Sequence, residues 1–242
     1  MIDLHSHILP NIDDGARSIE DTIAIAENSV SAGVTHMMCT PHINLGTFDN
    51  TPETISAAFN LAVAAIKKAD IPLKLAFASE VRLCPEILVL TKQNKLPFLG
   101  AWQGKQALLL ELPHSHIPPG AENLIKWLLS NNIQPVIPHP ERNREIIADY
   151  PKARWLKQLG CIFQVTAGAF VNRFSDAVFD TVWRMQQDKL ITYVASDTHN
   201  IKMRPNDMKD AYNAVVAKVD QNLADAWFIE IPNVITQEIT WQ

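Results

Sequence analysis

With 242 residues, 47% of them hydrophobic, the chain can bury a substantial core, and one α/β barrel domain over residues 1–242 is the expected organisation. The net charge is -5 and the 21 basic and 26 acidic side chains are interspersed, which excludes a polyanion-binding face and argues against a nucleic-acid partner. No apolar run approaches the roughly 20 residues of a membrane span, and Asp3 and His5 stand where a signal peptide would carry positive charge, so a cytoplasmic protein without direct membrane insertion is expected.

In chain order, short apolar and β-branched runs predict strands at Ile2 to Ser6, Val34 to Thr40, Leu73 to Ser79, Ala107 to Leu112, Gln134 to Pro138, Cys161 to Thr166 and Ile191 to Ser196. Helices are expected between them. Ser18 caps the first, with Asp21 three residues on and Gly33 ending it, and Thr51-Pro52-Glu53 opens the second with proline at the first helical position. Further helices follow at Ala121 to Asn131, Ala153 to Leu159, Ser175 to Lys189 and Asn206 to Val219. Seven strand-helix alternations predict a parallel sheet, which at this length closes into a barrel rather than remaining open. Cys39, Cys84 and Cys161 are too far apart for a Cys-x-x-Cys motif and read as buried thiols.

Loops after the C-terminal ends of parallel strands carry chemistry, and here the same residue types recur after strand upon strand. The first ends in His5-Ser6-His7 followed by Asp13-Asp14-Gly15, the second in Thr40-Pro41-His42, the third in Ser79-Glu80 and the fourth in Glu111-Leu112-Pro113. The fifth ends in Pro138-His139-Pro140-Glu141-Arg142 and the seventh in Ser196-Asp197-Thr198-His199. A lone histidine or acid at a strand end is usually a hydrogen-bonded structural residue. Gathered on one rim, however, repelling acids and desolvated imidazoles require compensating cations. Imidazole and carboxylate without thiolate suit manganese, zinc, iron or magnesium, and the number of candidate ligands points to two or three ions, with Glu80 able to bridge. His5 and His7, two apart on an extended strand, can share an ion, and Asp197 and His199 repeat that spacing.

Several residues read differently. His114-Ser115-His116 repeats the H-x-H spacing but lies on a proline-flanked loop, where substrate contact or solvent exposure is expected rather than metal binding. His36 reads as a hydrogen-bonded structural residue, Asp3 as a support behind the ligands, Asp13 as the runner-up to Asp14, and Glu141 as a support of its own turn. Gly100 to Lys105 lacks the spacing of a phosphate-binding loop, no cysteine has an arginine six residues downstream, and no G-x-S-x-G elbow exists, so covalent catalysis is disfavoured.

The strings D-L-H-S-H, T-P-H, S-E, L-E, P-H-P-E-R and S-D-T-H resemble the PHP (polymerase and histidinol phosphatase) superfamily over nearly the whole chain. More closely, I-D-L-H-S-H-I-L-P-N-I-D-D-G-A, C-T-P-H, I-P-H-P-E-R-N and S-D-T-H-N-I-K-M-R-P are similar to the manganese-dependent protein tyrosine phosphatases of bacterial capsule and exopolysaccharide operons. The resemblance implies a distorted (β/α)7 barrel of the PHP type with a trinuclear centre at the C-terminal strand ends. It implies that His5, His7, Glu80 and Asp197 hold one ion, that Glu80, Glu111 and His139 hold a second, and that Asp14, His42 and His199 hold a third. Arg142 and Arg204 fall where that family has arginines facing phosphate, against the alternative of surface ion pairs.

The expected chemistry is attack of a metal-bound hydroxide on the phosphoryl group, with His42, His199 or a metal-bound water open as general acid. The implied partner is a phosphotyrosine protein, a bacterial tyrosine kinase of polysaccharide export, and a homo-oligomer is compatible with the sequence. Competing readings are a histidinol-phosphatase-like enzyme for small molecules, a PHP nuclease and a non-catalytic, metal-stabilised interaction module.

Overall fold

A computed structural model describes all of residues 1–242. The strands are β1 (Ile2–Ser6), β2 (His36–Cys39), β3 (His42–Ile43), β4 (Lys74–Phe77), β5 (Glu80–Arg82), β6 (Ala101–Trp102), β7 (Lys105–Glu111), β8 (Ile133–Pro138), β9 (Ile162–Thr166) and β10 (Tyr193–Ala195). The helices are α1 (Ile19–Ser31), α2 (Pro52–Lys68), α3 (Ile87–Lys92), α4 (Ala121–Ser130), α5 (Arg144–Ala148), α6 (Pro151–Gln158), α7 (Asp176–Gln187), α8 (Met208–Lys218), α9 (Gln221–Asp225) and α10 (Ile231–Ile235).

Two of the expected strands are each followed by a second, short strand on the same stave. The Val34 to Thr40 run becomes β2, and β3 resumes beyond Pro41, which has no N–H to give the ladder, while Thr40 turns its hydroxyl to the Ser6 backbone. The Leu73 to Ser79 run becomes β4 and continues as β5 beyond it. Because β2 pairs with β4 and β3 with β5, all in parallel, each broken pair still occupies one stave. From β5 the parallel pairing runs through β7, β8 and β9 to β10. The ring closes where Asp197 N–H donates to His5 O and His7 N–H to Thr198 O, both at 2.9 Å, and β1 then returns to β2. A closed parallel barrel results, with the short antiparallel β6 hairpinned onto β7.

The helix signals act as expected. Asp21 N–H donates to Ser18 Oγ at 3.3 Å, Thr51 and Thr54 form a reciprocal capping box with Pro52 at the first position, and α1 gives way to Gly33 at φ 80°. Ile2, Leu4, Met38, Ala76, Leu109 and Tyr193 pack inside the barrel, whereas Met37, Cys39, Leu108, Leu110, Phe163 and Val165 pack in the separate core outside it with Ile25, Ile55 and Leu156. The lower end is closed by α10 and the C-terminal residues. Ile235 is buried in the interior cluster, Ile239 and Trp241 pack against it, and Gln242 exchanges backbone bonds with Leu75, both at 2.8 Å. With that end plugged, the upper rim is left to carry the polar side chains.

Candidate metal centre

The barrel brings every strand-end histidine and carboxylate of the sequence patterns to its upper rim. His5 and His7 reach one another at 3.2 Å between their Nε2 atoms. His5 Nε2 lies 3.2 Å from Glu80 Oε2 and 3.3 Å from Asp197 Oδ1, while His7 Nε2 lies 3.3 and 3.4 Å from the same two oxygens. Glu80 extends the cluster sideways, with His42 Nδ1 at 3.1 Å from Oε2 and His139 Nε2 at 2.8 Å from Oε1. Glu111 Oε2 stands 3.7 Å from His42 Nδ1. At the mouth, the exposed Asp14 places Oδ1 3.3 Å from both His42 Nε2 and His199 Nε2. Three groups of ligand-type atoms therefore adjoin: His5, His7 and Glu80; His42, Glu80 and Glu111; and His7, Asp14, His42 and His199. Asp197 borders the first through His5 and His7, and His139 borders the first two through Glu80.

Backbone irregularities aim these side chains. Between Asp3 and Ser6 the β1–β2 register slips by one residue, so that Leu4 packs into the barrel while His5 also reaches the site. His139 (φ 38°) and Asp197 (φ 53°) are left-handed at the ends of their strands, a conformation unusual for residues with a side chain and concentrated at functional sites. The nitrogens turned away from the cluster are held as well. His5 Nδ1 meets Gln164 Oε1 at 2.7 Å, His7 Nδ1 meets Asp13 Oδ2 at 2.7 Å and His199 Nδ1 meets the Asp197 carbonyl at 3.0 Å. Such partners fix which imidazole nitrogen is free to bind.

Five buried atoms in the cluster have no hydrogen-bond partner: His42 Nδ1, Glu80 Oε2, Glu111 Oε2, Asp197 Oδ1 and His199 Nε2. Burial opposes the ionisation of Glu80, but His5, His42 and His139 hold its carboxyl well below the usual range. Glu111 is pushed up to about 7 by burial and by the charge of Glu80. Burial takes His139 down to about 3 and His199 to about 4, leaving neutral rings with a lone pair at pH 7. Burial opposes charge on His5, His7 and His42 as well, but the carboxylates that face them raise all three. Buried carboxylate oxygens and imidazole nitrogens that converge in this way, several without a hydrogen-bond partner, are a donor set that fits divalent cations.

The two arginines also arrive at the site. Arg142 Nη1 donates to Asp197 Oδ2 at 2.5 Å, Arg204 Nη2 donates to the same oxygen, and the Arg142 guanidinium lies 4.5 Å over the Phe174 ring. The sequence reading did not single out Gln164 or Arg82. Gln164 is a polar residue between the apolar Phe163 and Val165 of β9, and Arg82 shares the face of Glu80 two residues later, with Nε 3.1 Å from Glu111 Oε2. Both patterns are visible in the sequence.

The residues read as structural stand apart. Asp3 receives the N–H of Ser196 and the amide of Asn206, both at 2.9 Å, and so ties β1 to the start of the Asp197 loop. Glu141 accepts the Thr166 N–H at 2.8 Å. His36 opens β2 at the opposite end of the barrel, bonded to Thr35 Oγ1 at 2.9 Å and set edge-on to Trp241. His114 and His116, expected to meet substrate or solvent, are both exposed, and the His114 ring centroid lies 5.3 Å from that of His139.

Comparison with known proteins agrees with this arrangement. The family described as capsular polysaccharide synthesis, CpsB/CapC, matches residues 1–237. The tyrosine-protein phosphatase YwqE of Bacillus subtilis (strain 168) is 35% identical over 204 residues, spanning 84% of this chain and 79% of that protein. The tyrosine-protein phosphatase CpsB of Streptococcus agalactiae serotype III (strain NEM316) is 25% identical over 235 residues, 95% of this chain and 96% of that protein. A crystal structure from work on YwqE of Bacillus subtilis and CpsB of Streptococcus pneumoniae, described as unique metal-dependent tyrosine phosphatases, superposes with a TM-score of 0.85 at 32% identity, covering 98% of this chain and 92% of that one. On the strength of a match along almost its entire length, the chain belongs to the CpsB/CapC family.

Proposed function

We propose that this chain is a metal-dependent protein tyrosine phosphatase that acts in the regulation of capsule or exopolysaccharide synthesis, residues 1–242 forming one catalytic domain. The observation that carries the reading is the convergence of His5, His7, Glu80 and Asp197 on a common point, with the far oxygen of Asp197 turned to two guanidinium groups. The family relationship to named tyrosine phosphatases supports it.

In this reading His5, His7, Glu80 and Asp197 hold one divalent ion, Glu80, Glu111 and His139 a second, and Asp14, His42 and His199 a third, with manganese as the native metal. When bound, such ions supply a water that deprotonates near neutral pH and positive charge against the phosphoryl oxygens. Gln164, Asp13 and the Asp197 carbonyl keep the imidazoles oriented for that task. Arg142 and Arg204 donate to the substrate phosphoryl group, whose oxygens compete with Asp197 Oδ2 for planar two-donor contacts. His42 and His199, at the mouth on either side of Asp14, would transfer protons there when their Nε2 atoms hold no ion, and with the third ion bound its water would take that role. The substrate is a cytoplasmic phosphotyrosine protein, a tyrosine kinase of polysaccharide export. No helix here is long and apolar enough to cross a membrane.

The test is to measure steady-state hydrolysis of a phosphotyrosine peptide, a phosphoserine peptide and histidinol phosphate side by side, with manganese and with a chelator. Chelator-sensitive turnover that favours the phosphotyrosine peptide is expected. Preference for histidinol phosphate, or full activity in protein shown by elemental analysis to be metal-free, would overturn the reading.

A further inference from the structure

We propose that His114 is a catalytic residue whose ring N–H donates a hydrogen bond to the bridging ester oxygen of bound phosphotyrosine, stabilising the phenolate as it leaves. The inference rests on the phosphatase reading above and assigns its leaving-group contact.

His114 follows β7 and Pro113, on the exposed side of the rim. Its ring centroid lies 5.3 Å from that of His139, so the exposed imidazole flanks the cluster from the solvent side. The neighbouring His116 ring differs, being engaged by Ser115 Oγ at 2.8 Å. The loop that carries His114 is fastened to the segment that carries His139 and Arg142. Arg144 N–H donates to the His114 carbonyl and Asn143 Nδ2 to the Pro113 carbonyl, both at 2.8 Å, and Ile117 N–H donates to Glu145 Oε2 at 2.5 Å. An exposed imidazole on an anchored loop loses little conformational freedom when it meets a ligand.

Reaction geometry supplies the role. The attacking oxygen comes from the buried side, where the ligands lie, and in-line displacement sends the leaving oxygen to the opposite, solvent-facing side. The nonbridging oxygens have Arg142 and Arg204. The bridging oxygen needs its own donor, and the exposed His114 beside the His139 ring is placed to supply it. As the oxygen of hydroxide bonds to phosphorus, the P–O(aryl) bond breaks and its electron pair goes to the phenolic oxygen. With a phenol pKa of about 10 that oxygen departs as an anion, hydrogen-bonded to the imidazole N–H, and takes its proton from solvent.

The experiment compares wild type, His114→Gln and His114→Ala on 4-nitrophenyl phosphate, whose leaving group needs little help, and phenyl phosphate, whose leaving group matches tyrosine. His114→Ala should lose about 30-fold in kcat/KM on phenyl phosphate and less than about threefold on 4-nitrophenyl phosphate, and His114→Gln, which keeps an N–H donor, should recover part of the loss on phenyl phosphate, with metal content and Tm unchanged in both. Equal losses on the two esters, or none, would overturn the inference while leaving the phosphatase reading intact. Absence of chelator-sensitive hydrolysis in the wild type would instead overturn both.

Discussion

Gly15 lies against the His7 backbone so closely that a β-carbon at position 15 would stand 2.0 Å from the His7 carbonyl oxygen. The same contact is bonded, since Ala16 N–H donates to that carbonyl at 3.0 Å. The Asp13-Asp14-Gly15 turn is thereby folded back onto β1, setting Asp13 behind His7 and Asp14 opposite His42 and His199. No rotamer change relieves a backbone clash. Gly15→Ala should therefore displace both aspartates, lowering phosphatase turnover at least about tenfold and removing an ion from the mouth of the site. Elemental analysis and kcat on an aryl phosphate check this. Wild-type values for both would show that the turn yields without consequence.

Metal removal should also cost stability. Glu80 Oε2, Glu111 Oε2 and Asp197 Oδ1 are buried and have no hydrogen-bond partner, so removing a cation that they hold would leave buried carboxylates uncompensated. A ligand at 100 times its dissociation constant stabilises the folded state by about 2.7 kcal/mol. Chelation should accordingly lower Tm by several degrees, and manganese should restore it better than magnesium because imidazole-rich sites favour softer ions. An unchanged melting curve after chelation and verified metal loss would contradict this.

His139→Ala and His36→Ala test which end of the barrel carries the chemistry. His139 bonds Glu80 at 2.8 Å inside the cluster, so its loss should lower the metal content and cut turnover by orders of magnitude without unfolding the chain. His36 packs on Trp241 at the plugged end, and its loss should lower Tm with metal content unchanged. Metal loss only in the His36 variant would overturn the assignment of the upper rim.

Much of this was legible in the sequence. Runs of β-branched residues separated by helical periods predicted the parallel barrel, and the repeated histidine and carboxylate endings predicted the rim. The aiming of the side chains was not legible. His5 and Leu4 both reach the barrel interior only because β1 slips register, and neither that bulge nor the left-handed backbones of His139 and Asp197 leaves a pattern in the residues. The breaks at Pro41 and after Phe77 could have been read from the proline in one case only. The short helices α3, α5, α9 and α10 lack enough turns to show a period, and tertiary packing decides them.

Glu141 gives a pH-dependent test. Burial pushes its carboxyl up from about 4.5 to about 7, although the Thr166 N–H opposes the shift. Between those values the folded chain keeps a proton that the unfolded chain releases, so unfolding free energy falls as pH rises, by up to about 3 kcal/mol across the window. Glu141→Gln removes this titration and should gain stability on wild type as pH goes from 5 to 8. Denaturant unfolding of both proteins across that range decides the matter, and a constant difference would show that Glu141 ionises normally.

Arg142→Lys should be poorly tolerated although it conserves charge. An ammonium cannot reproduce a planar two-donor contact to phosphoryl oxygens, nor the guanidinium stacking on Phe174 at 4.5 Å. A donor of this type, aimed at charge that develops in the transition state, contributes about 3 kcal/mol, or on the order of a hundredfold in rate. The loss should fall on kcat as well as KM if the contact tightens during reaction. Metal content should hold, because Arg204 donates to the same Asp197 oxygen and keeps that carboxylate paired when Arg142 is replaced. Kinetics on an aryl phosphate at saturating manganese, with elemental analysis of the same preparation, separate the roles. Wild-type turnover would make Arg142 a structural partner of Asp197 only, whereas turnover and metal lost together would mean that it acts through the ligand rather than on the substrate.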